Sequence, residues 1–208
     1  MYSGIIQGHY PVTQIQQRPG LMSFAVRFPN DLMQSLRQGA SIAVDGVCQT
    51  VRLIDESEIW FDAMQETLDK TTLSQLQVGQ YVNIERSLHY GDENGGHELS
   101  GHIDGTLTIT QITNSEHNYV MTLEVPKNFR NYVFNKGFLA IHGASLTVSD
   151  WNVSEGTFKI YLIPETLRLT NLRQFKTGDQ LNFEVDRRTQ VIVDTVERYL
   201  AQHPTLNQ

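Results

Sequence analysis

Cysteine is nearly missing from this chain: 208 residues contain one, Cys48. It closes no intramolecular disulfide, so it is a small buried apolar residue, a reactive thiol or a ligand contact. No apolar run approaches the roughly 18 residues needed to cross a bilayer, which excludes a membrane-spanning helix. The opening Met-Tyr-Ser-Gly-Ile-Ile-Gln-Gly has neither a basic stretch nor an apolar signal core, so cytoplasmic residence is expected. Positive charge is scarce too, with 16 Lys and Arg against 23 Asp and Glu and a formal charge of −7. Affinity for nucleic acid rests on cations that neutralise phosphates, so small neutral ligands suit the chain better than polyanions. The seven histidines are scattered, and His97 with His102 has no spacing that a lone cysteine could complete, so no metal site emerges. Gly95-Gly96 is not followed by the Lys-Ser/Thr of a phosphate loop.

What the chain does contain, it contains twice. Residues 41–51, Ser-Ile-Ala-Val-Asp-Gly-Val-Cys-Gln-Thr-Val, return at 138–148 as Phe-Leu-Ala-Ile-His-Gly-Ala-Ser-Leu-Thr-Val. Each copy predicts a strand, a tight backbone approach at Gly46 or Gly143, and a second strand, with Cys48 and Ser145 in equivalent places. Residues 64–85 and 163–184 share Glu-Thr-Leu, Thr71/Thr170, Leu73/Leu172, Gln75/Gln174, Gly79/Gly178, Asn83/Asn182 and Glu85/Glu184. Ser3, Gly4, Ile6 and Gly8 likewise match Ser100, Gly101, Ile103 and Gly105, while His102 stands against Ile5. The duplication predicts an all-β protein of two tandem six-stranded antiparallel barrels, residues 1–97 and 98–186, because closure removes the exposed edges of short strands.

Taken in order, Tyr2 to Ile6 reads as a short strand and Met22 to Phe28 as another. Pro29 opens a short helix capped by Asn30, with Leu32, Met33 and Leu36 facing inward, and Pro126, Phe129 and Val133 repeat the device. Ile59-Trp60-Phe61 begins a further strand. Tyr90 to Gly96 is the linker. From residue 187 to 202 the period changes, and Ile192, Val193, Val196, Tyr199 and Leu200 form an apolar stripe at helical spacing. That helix either packs on its own domain or associates with copies of itself. The polar tail from Gln202 to Gln208 is expected to fray.

Two copies of one pocket suggest two molecules of one ligand, or of two close analogues. Thr50 and Thr147 offer groups suited to an imide-like heterocycle edge, or they simply pack as β-branched strand residues. Ser145, His102 and Asp186 together have the residue types of a hydrolytic triad, although spacing alone carries no geometry.

The motifs in this order resemble those of the riboflavin synthase family of the alpha, lumazine-binding type. The resemblance runs from Met1 to about Leu200 through Met-Tyr-Ser-Gly-Ile-Ile, Asp-Gly-Val-Cys-Gln-Thr-Val, Glu-Thr-Leu-X-X-Thr-Thr-Leu, Gly-Gly-His-X-X-Ser-Gly-His-Ile-Asp-Gly, Gly-X-Ser-Leu-Thr-Val and Leu-Ile-Pro-Glu-Thr-Leu. It implies two six-stranded Greek-key barrels, a terminal helix that joins three chains, and a cofactor-free dismutation of 6,7-dimethyl-8-ribityllumazine. One molecule donates a four-carbon unit to another, giving riboflavin and 5-amino-6-ribitylamino-pyrimidinedione. The active site would form between the N-terminal barrel of one chain and the C-terminal barrel of a neighbour.

Carried over by motif, the N-terminal pocket would use Gly4, Ile5, Ile6, Ser41, Cys48, Gln49, Thr50, Asp62, Ala63, Met64, Gln65, Glu66 and Thr67. The C-terminal pocket would use Gly101, His102, Ile103, Lys136, Ser145, Leu146, Thr147, Ile163, Pro164, Glu165, Thr166, Leu167 and Arg168. The asymmetry between the halves assigns Ser145 and Thr147 to the C7 region of one lumazine, His102 to assist proton transfer, Cys48 to contact or activate the other lumazine, and Asp186 to orient a neighbouring group. Three positions depart from the family pattern: Tyr2 for Phe, Glu98 for an apolar residue, and His142 for the Asp before Gly143, beside the expected site. The alternative from another class is a non-catalytic relative that holds lumazine or flavin as a fluorophore. A barrel module of an electron-transfer or nucleic-acid protein fits the fold class only, and the charge opposes it.

Overall fold

In the computed structural model, which describes residues 1–116 and 118–203, the Asp-Gly and His-Gly dipeptides make the turns that their repetition predicts. Asp45 and Gly46 both have positive φ (48° and 83°), as do His142 and Gly143 (52° and 87°). Two central residues with positive φ make the two-residue hairpin whose twist matches its strands. The first joins β3 (Ser41–Val44) to β4 (Val47–Asp55), and the second joins β9 (Phe138–Ile141) to β10 (Ala144–Thr147).

The remaining strands of the first half are β1 (Gly8–Arg18), β2 (Leu21–Arg27), β5 (Glu58–Met64) and β6 (Tyr81–Arg86), and the six close into a barrel of order β1-β2-β5-β4-β3-β6. Phe24, Phe61, Ile42, Ile59 and Ile84 fill it. The second half contains β7 (Gly105–Asn114), β8 (Tyr119–Glu124), β11 (Ser149–Asn152), β12 (Thr157–Leu162) and β13 (Gln180–Val185), in the order β10-β9-β13-β7-β8-β12-β11. Seven strands stand where six are expected because the counterpart of β4 is broken at Val148 into β10 and β11, beside Asp150 with φ of 51°. Phe158, Phe183, Leu107 and Ile109 fill this core.

Two local expectations are corrected. Tyr2 to Ile6 forms no strand: Tyr2 makes one isolated bridge to Leu99, and Gly4 turns with φ of 75°. Asn30 is the first helical residue of α1 (Asn30–Met33) and not its cap, which is Pro29 without a side-chain bond. Leu32 is nonetheless buried, and a 3₁₀ turn over Lys127–Tyr132 occupies the equivalent place in the second half, with Val133 buried. Each barrel also carries a six-residue helix after its penultimate strand, α2 (Gln65–Lys70) and α3 (Pro164–Leu169). The terminal helix α4 spans Arg187–Gln202, and residues 204–208 of the polar tail lie outside the described residues. No helix among the described residues is long and apolar enough to cross a membrane.

The barrels meet along a seam of matched polar contacts. Asn83 Nδ2 donates to the His142 carbonyl at 2.9 Å, and Asn182 Nδ2 donates to the Asp45 carbonyl at 2.9 Å. The two hairpin tips abut: a Cβ on Gly46 would lie 2.7 Å from Gly143 N, and one on Gly143 would lie 2.8 Å from Gly46 N. Gly46→Ala is therefore expected to cost about 2–3 kcal/mol, combining a left-handed alanine with overpacking. A urea titration in which this variant unfolds at the same midpoint as the parent would contradict the close approach.

Candidate active site

The segments that precede the barrels cross over the seam. Gly4 presents its carbonyl to Ser145 N at 2.9 Å, and Gly101 presents its carbonyl to Cys48 N at 2.8 Å. Two buried carboxylates hold the crossing segments: Glu85 accepts from Ser3 N, Ser3 Oγ and Gly4 N, and Glu184 accepts from Ser100 N, Ser100 Oγ and Gly101 N. Burial raises the Glu85 carboxyl above its usual range against these same hydrogen bonds. The crossing brings Gly101 and His102 to Cys48, and Gly4 to Ser145, so each half lends its leading segment to the other.

Cys48, His102 and Asp186 line one cavity of about 860 Å³ with Met1, Leu99 and Ser100, closed on one side by Val191 and Ile192 of α4. Cys48 is half-buried and His102 is exposed. Glu98 also lines it and pairs with Arg188 at 3.3 Å, so the acidic residue at this position is neutralised at the rim. Asp186 caps α4 by accepting from Thr189 N at 3.0 Å and Thr189 Oγ1 at 2.7 Å. Burial pushes its carboxyl up, but the Thr189 and Arg188 bonds and nearby His97 outweigh that and leave it below the usual carboxylate range.

Ser145 lies elsewhere. Its Oγ shares a 2.6 Å hydrogen bond with Nδ1 of His97, which is buried and stacked on Phe138 at 5.5 Å between ring centroids. His97 Nε2 has no hydrogen-bond partner. Ser145 and Thr147 share one face of β10, and register places them against Ala140 and Phe138 of β9. The triad of residue types in the sequence thus resolves into Ser145 with His97, not with His102. Burial holds the His97 imidazole below its ordinary 6.5, with Asp186 pulling the other way. The unfolded chain takes up that proton first as pH falls, so this contribution to stability is full above about 6.5 and is lost below it. Urea midpoints measured from about pH 7.5 to 5.5 are expected to fall less steeply in His97→Gln than in the parent.

The other expected contacts divide by the direction their strands give them. Ser41 pairs with Thr50 and Ala43 with Cys48, so Ser41, Cys48 and Thr50 share the outer face of the first barrel. Asp62, held by Ser23 Oγ at 2.6 Å and Arg52 Nε at 3.2 Å, and the exposed Met64 follow on the neighbouring strand. Gln65, Glu66 and Thr67 begin α2. Ala63 and Ile6 face inward, and Gln49 is buried and turns its amide to the Cys48 carbonyl. In the second half Ile163 precedes α3, and Pro164, Leu167 and Arg168 line a cavity of about 500 Å³ with Tyr119 and Arg173. Arg168 is clamped by Glu165 at 2.6 and 2.9 Å. Thr166 hydrogen-bonds Thr170 within its own helix turn, Leu146 packs on the second core, Ile103 packs on the first, and Lys136 is exposed on a turn before β9. Tyr161, the counterpart of Asp62 at the 99-residue offset of this part of the repeat, also stands exposed and was not singled out by motif.

His142 does not sit beside these residues as its place in the motif suggests. It is 1 % exposed at the seam, where its Nδ1 accepts from Asn182 N at 3.2 Å and its Nε2 lies 3.2 Å from Asp45 Oδ2. An Nδ1 that accepts carries no proton, so the ring proton is on Nε2, toward the carboxylate. Asp45 Oδ1 accepts from Asn83 N and Asn171 Nδ2, completing the pair. The ring also packs edge-on against Phe175 at 5.0 Å.

Known proteins match both the tandem organisation and the individual chain. The lumazine binding domain family matches residues 3–87 and again 100–186. Riboflavin synthase of Escherichia coli K12 is 42% identical over 97% of this chain and 94% of its own, and that of Chlamydia pneumoniae is 40% identical over 97% and 98%. A crystal structure of LumP complexed with riboflavin superposes with a TM-score of 0.83 at 26% identity, covering 89% of this chain and all of that one. Two domain matches in tandem and relatives similar along nearly their whole length make this chain a member of the lumazine-binding family.

Proposed function

We propose that this chain is a riboflavin synthase that dismutates two molecules of 6,7-dimethyl-8-ribityllumazine. The observation that carries the reading is the duplicated site made unequal: Cys48 beside His102 in one half, Ser145 hydrogen-bonded to buried His97 in the other. The reaction needs one lumazine to lose a proton from its C7 methyl group and the other to accept a nucleophile at C7. Two similar pockets with different chemistry suit two copies of one molecule with different fates.

His97 is the group for the proton. Burial keeps its imidazole neutral near pH 7, so it accepts a proton without first losing one. Ser145 and Thr147 then face the C7 region of one lumazine, and Cys48 with His102 faces the other. Asp186, fixed by Thr189, holds the base of α4 and balances charge near His97. Purified protein given this lumazine alone is expected to form riboflavin, read at its visible absorbance band. Stable lumazine fluorescence with no riboflavin overturns the reading.

The assembly we propose is a trimer built on α4. The helix spends its polar side on its own domain, where Tyr132 donates to Asp194 at 2.6 Å and Asn131 donates to Glu197 at 2.7 Å. Val191, Ile192, Val196 and Tyr199 remain exposed, an apolar stripe that a second copy would cover. One free thiol suits a reducing compartment, which supports the cytoplasm as its place.

A further inference from the structure

Tyr2 sits behind Cys48, in a place its hydroxyl does not need for packing. The residue is 1 % exposed, and its ring is enclosed by Ala43, Leu99 and Ala140. Its main chain is fixed by two hydrogen bonds with Leu99, Tyr2 N to Leu99 O at 2.8 Å and Leu99 N to Tyr2 O at 3.0 Å. A phenylalanine would fill the same volume. The hydroxyl instead donates to Cys48 Sγ at 3.2 Å. Burial first, and the bond to Cys48 second, hold the phenol above its usual range, so it keeps its proton and remains a donor near neutrality.

Cys48 faces two ways. Its backbone is pinned by Gly101, and a Cβ at Gly101 would lie 2.7 Å from Cys48 Cβ and 3.0 Å from Tyr2 Cε2, so ring, thiol and crossing segment are in mutual contact. The same residue lines the 860 Å³ cavity with His102 and Asp186. We propose that Tyr2 is a positioning residue for Cys48: its hydroxyl fixes the sulfur at the wall of the cavity and supplies a hydrogen bond that stabilises the sulfur as an anion. The role in turnover rests on the synthase reading, but the effect on the sulfur does not.

The test uses the lone cysteine as its own reporter, since alkylation of a thiol by iodoacetamide can occur only at Cys48. Tyr2→Phe is expected to slow alkylation about three- to tenfold at pH 7.5, the loss of a hydrogen bond to a charged group partly offset by a more basic sulfur. At about pH 10, above the ordinary thiol range of about 8.5, the two rates are expected to converge. Equal rates at pH 7.5, or the same slowing at both pH values, would overturn the proposal, the second result marking a change of access only. With lumazine as substrate, Tyr2→Phe is expected to lower kcat with little change in KM, and to have no effect once Cys48→Ala is present. An equal effect in the Cys48→Ala background overturns the coupling. A parent protein that makes no riboflavin contradicts the synthase reading and leaves the alkylation result standing by itself.

Discussion

His97→Gln is expected to lower turnover about 100- to 1000-fold while the dissociation constant for lumazine, read by its fluorescence, moves no more than about threefold. The imidazole is buried, stacked on Phe138 and bonded through Nδ1 to Ser145 Oγ at 2.6 Å, so it is already in contact with the hydroxyl it would serve. Glutamine can keep a hydrogen bond to the serine but cannot take up a proton near neutrality. Ser145→Ala is expected to cost a comparable factor. The double variant is expected to cost little more than either change alone, because the two groups act as a unit. Multiplying losses in the double variant would separate the pair. An equal loss in binding and turnover would make His97 a packing residue.

Asp45→Ala is expected to destabilise the protein by about 3–5 kcal/mol, since each buried donor left without its acceptor costs about 1–3 kcal/mol. For a chain of this length that lowers Tm by about 10 °C. Asp45 is 1 % exposed and its Oδ1 accepts from Asn83 N and Asn171 Nδ2, so truncation leaves both donors dry at the seam. Asp45→Asn keeps Oδ1 as an acceptor but sets an amide against the Nε2–H of His142, and is expected to cost less. Thermal unfolding followed by circular dichroism reads both. A midpoint in Asp45→Ala within about 2 °C of the parent would mean that the seam contributes little to stability.

The fold was legible because its cause is local and repeated. Asp45-Gly46 and His142-Gly143 demand positive φ, and the apolar runs on either side have nowhere to go but antiparallel pairs. The broken strand at Val148 was not legible, since the equivalent stretch of the first half, Val51 to Leu53, has only a register shift within a continuous β4, whereas Asp150 takes a positive φ. The pairing of catalytic candidates was hidden for a deeper reason: Ser3/Ser100 and Glu85/Glu184 mark the crossing segments by repetition, but the bonds that choose their partners, Ser145 N to the Gly4 carbonyl and Cys48 N to the Gly101 carbonyl, are backbone bonds that leave no side-chain pattern. His97 was passed over because it follows a glycine-rich linker and only folding brings it to Ser145. Its one sequence signal was its place in Gly-Gly-His, where the chain must approach closely: a Cβ at Gly96 would meet Ser3 O and lie 2.8 Å from Ser145 Cβ. His142, conspicuous as a departure in the motif, proved to belong to the seam, because the turn that carries it points at the other barrel and not at the cavity.

The central claim is that a duplicated chain handles two copies of one molecule with different fates, and product stoichiometry tests it most directly. Lumazine consumed, riboflavin formed and 5-amino-6-ribitylamino-pyrimidinedione formed would be quantified by chromatography over one time course. The account predicts two lumazines consumed for each riboflavin and each pyrimidinedione. Binding of lumazine at two sites with no change in any of the three amounts would contradict it, and would make the chain a holder of its ligand.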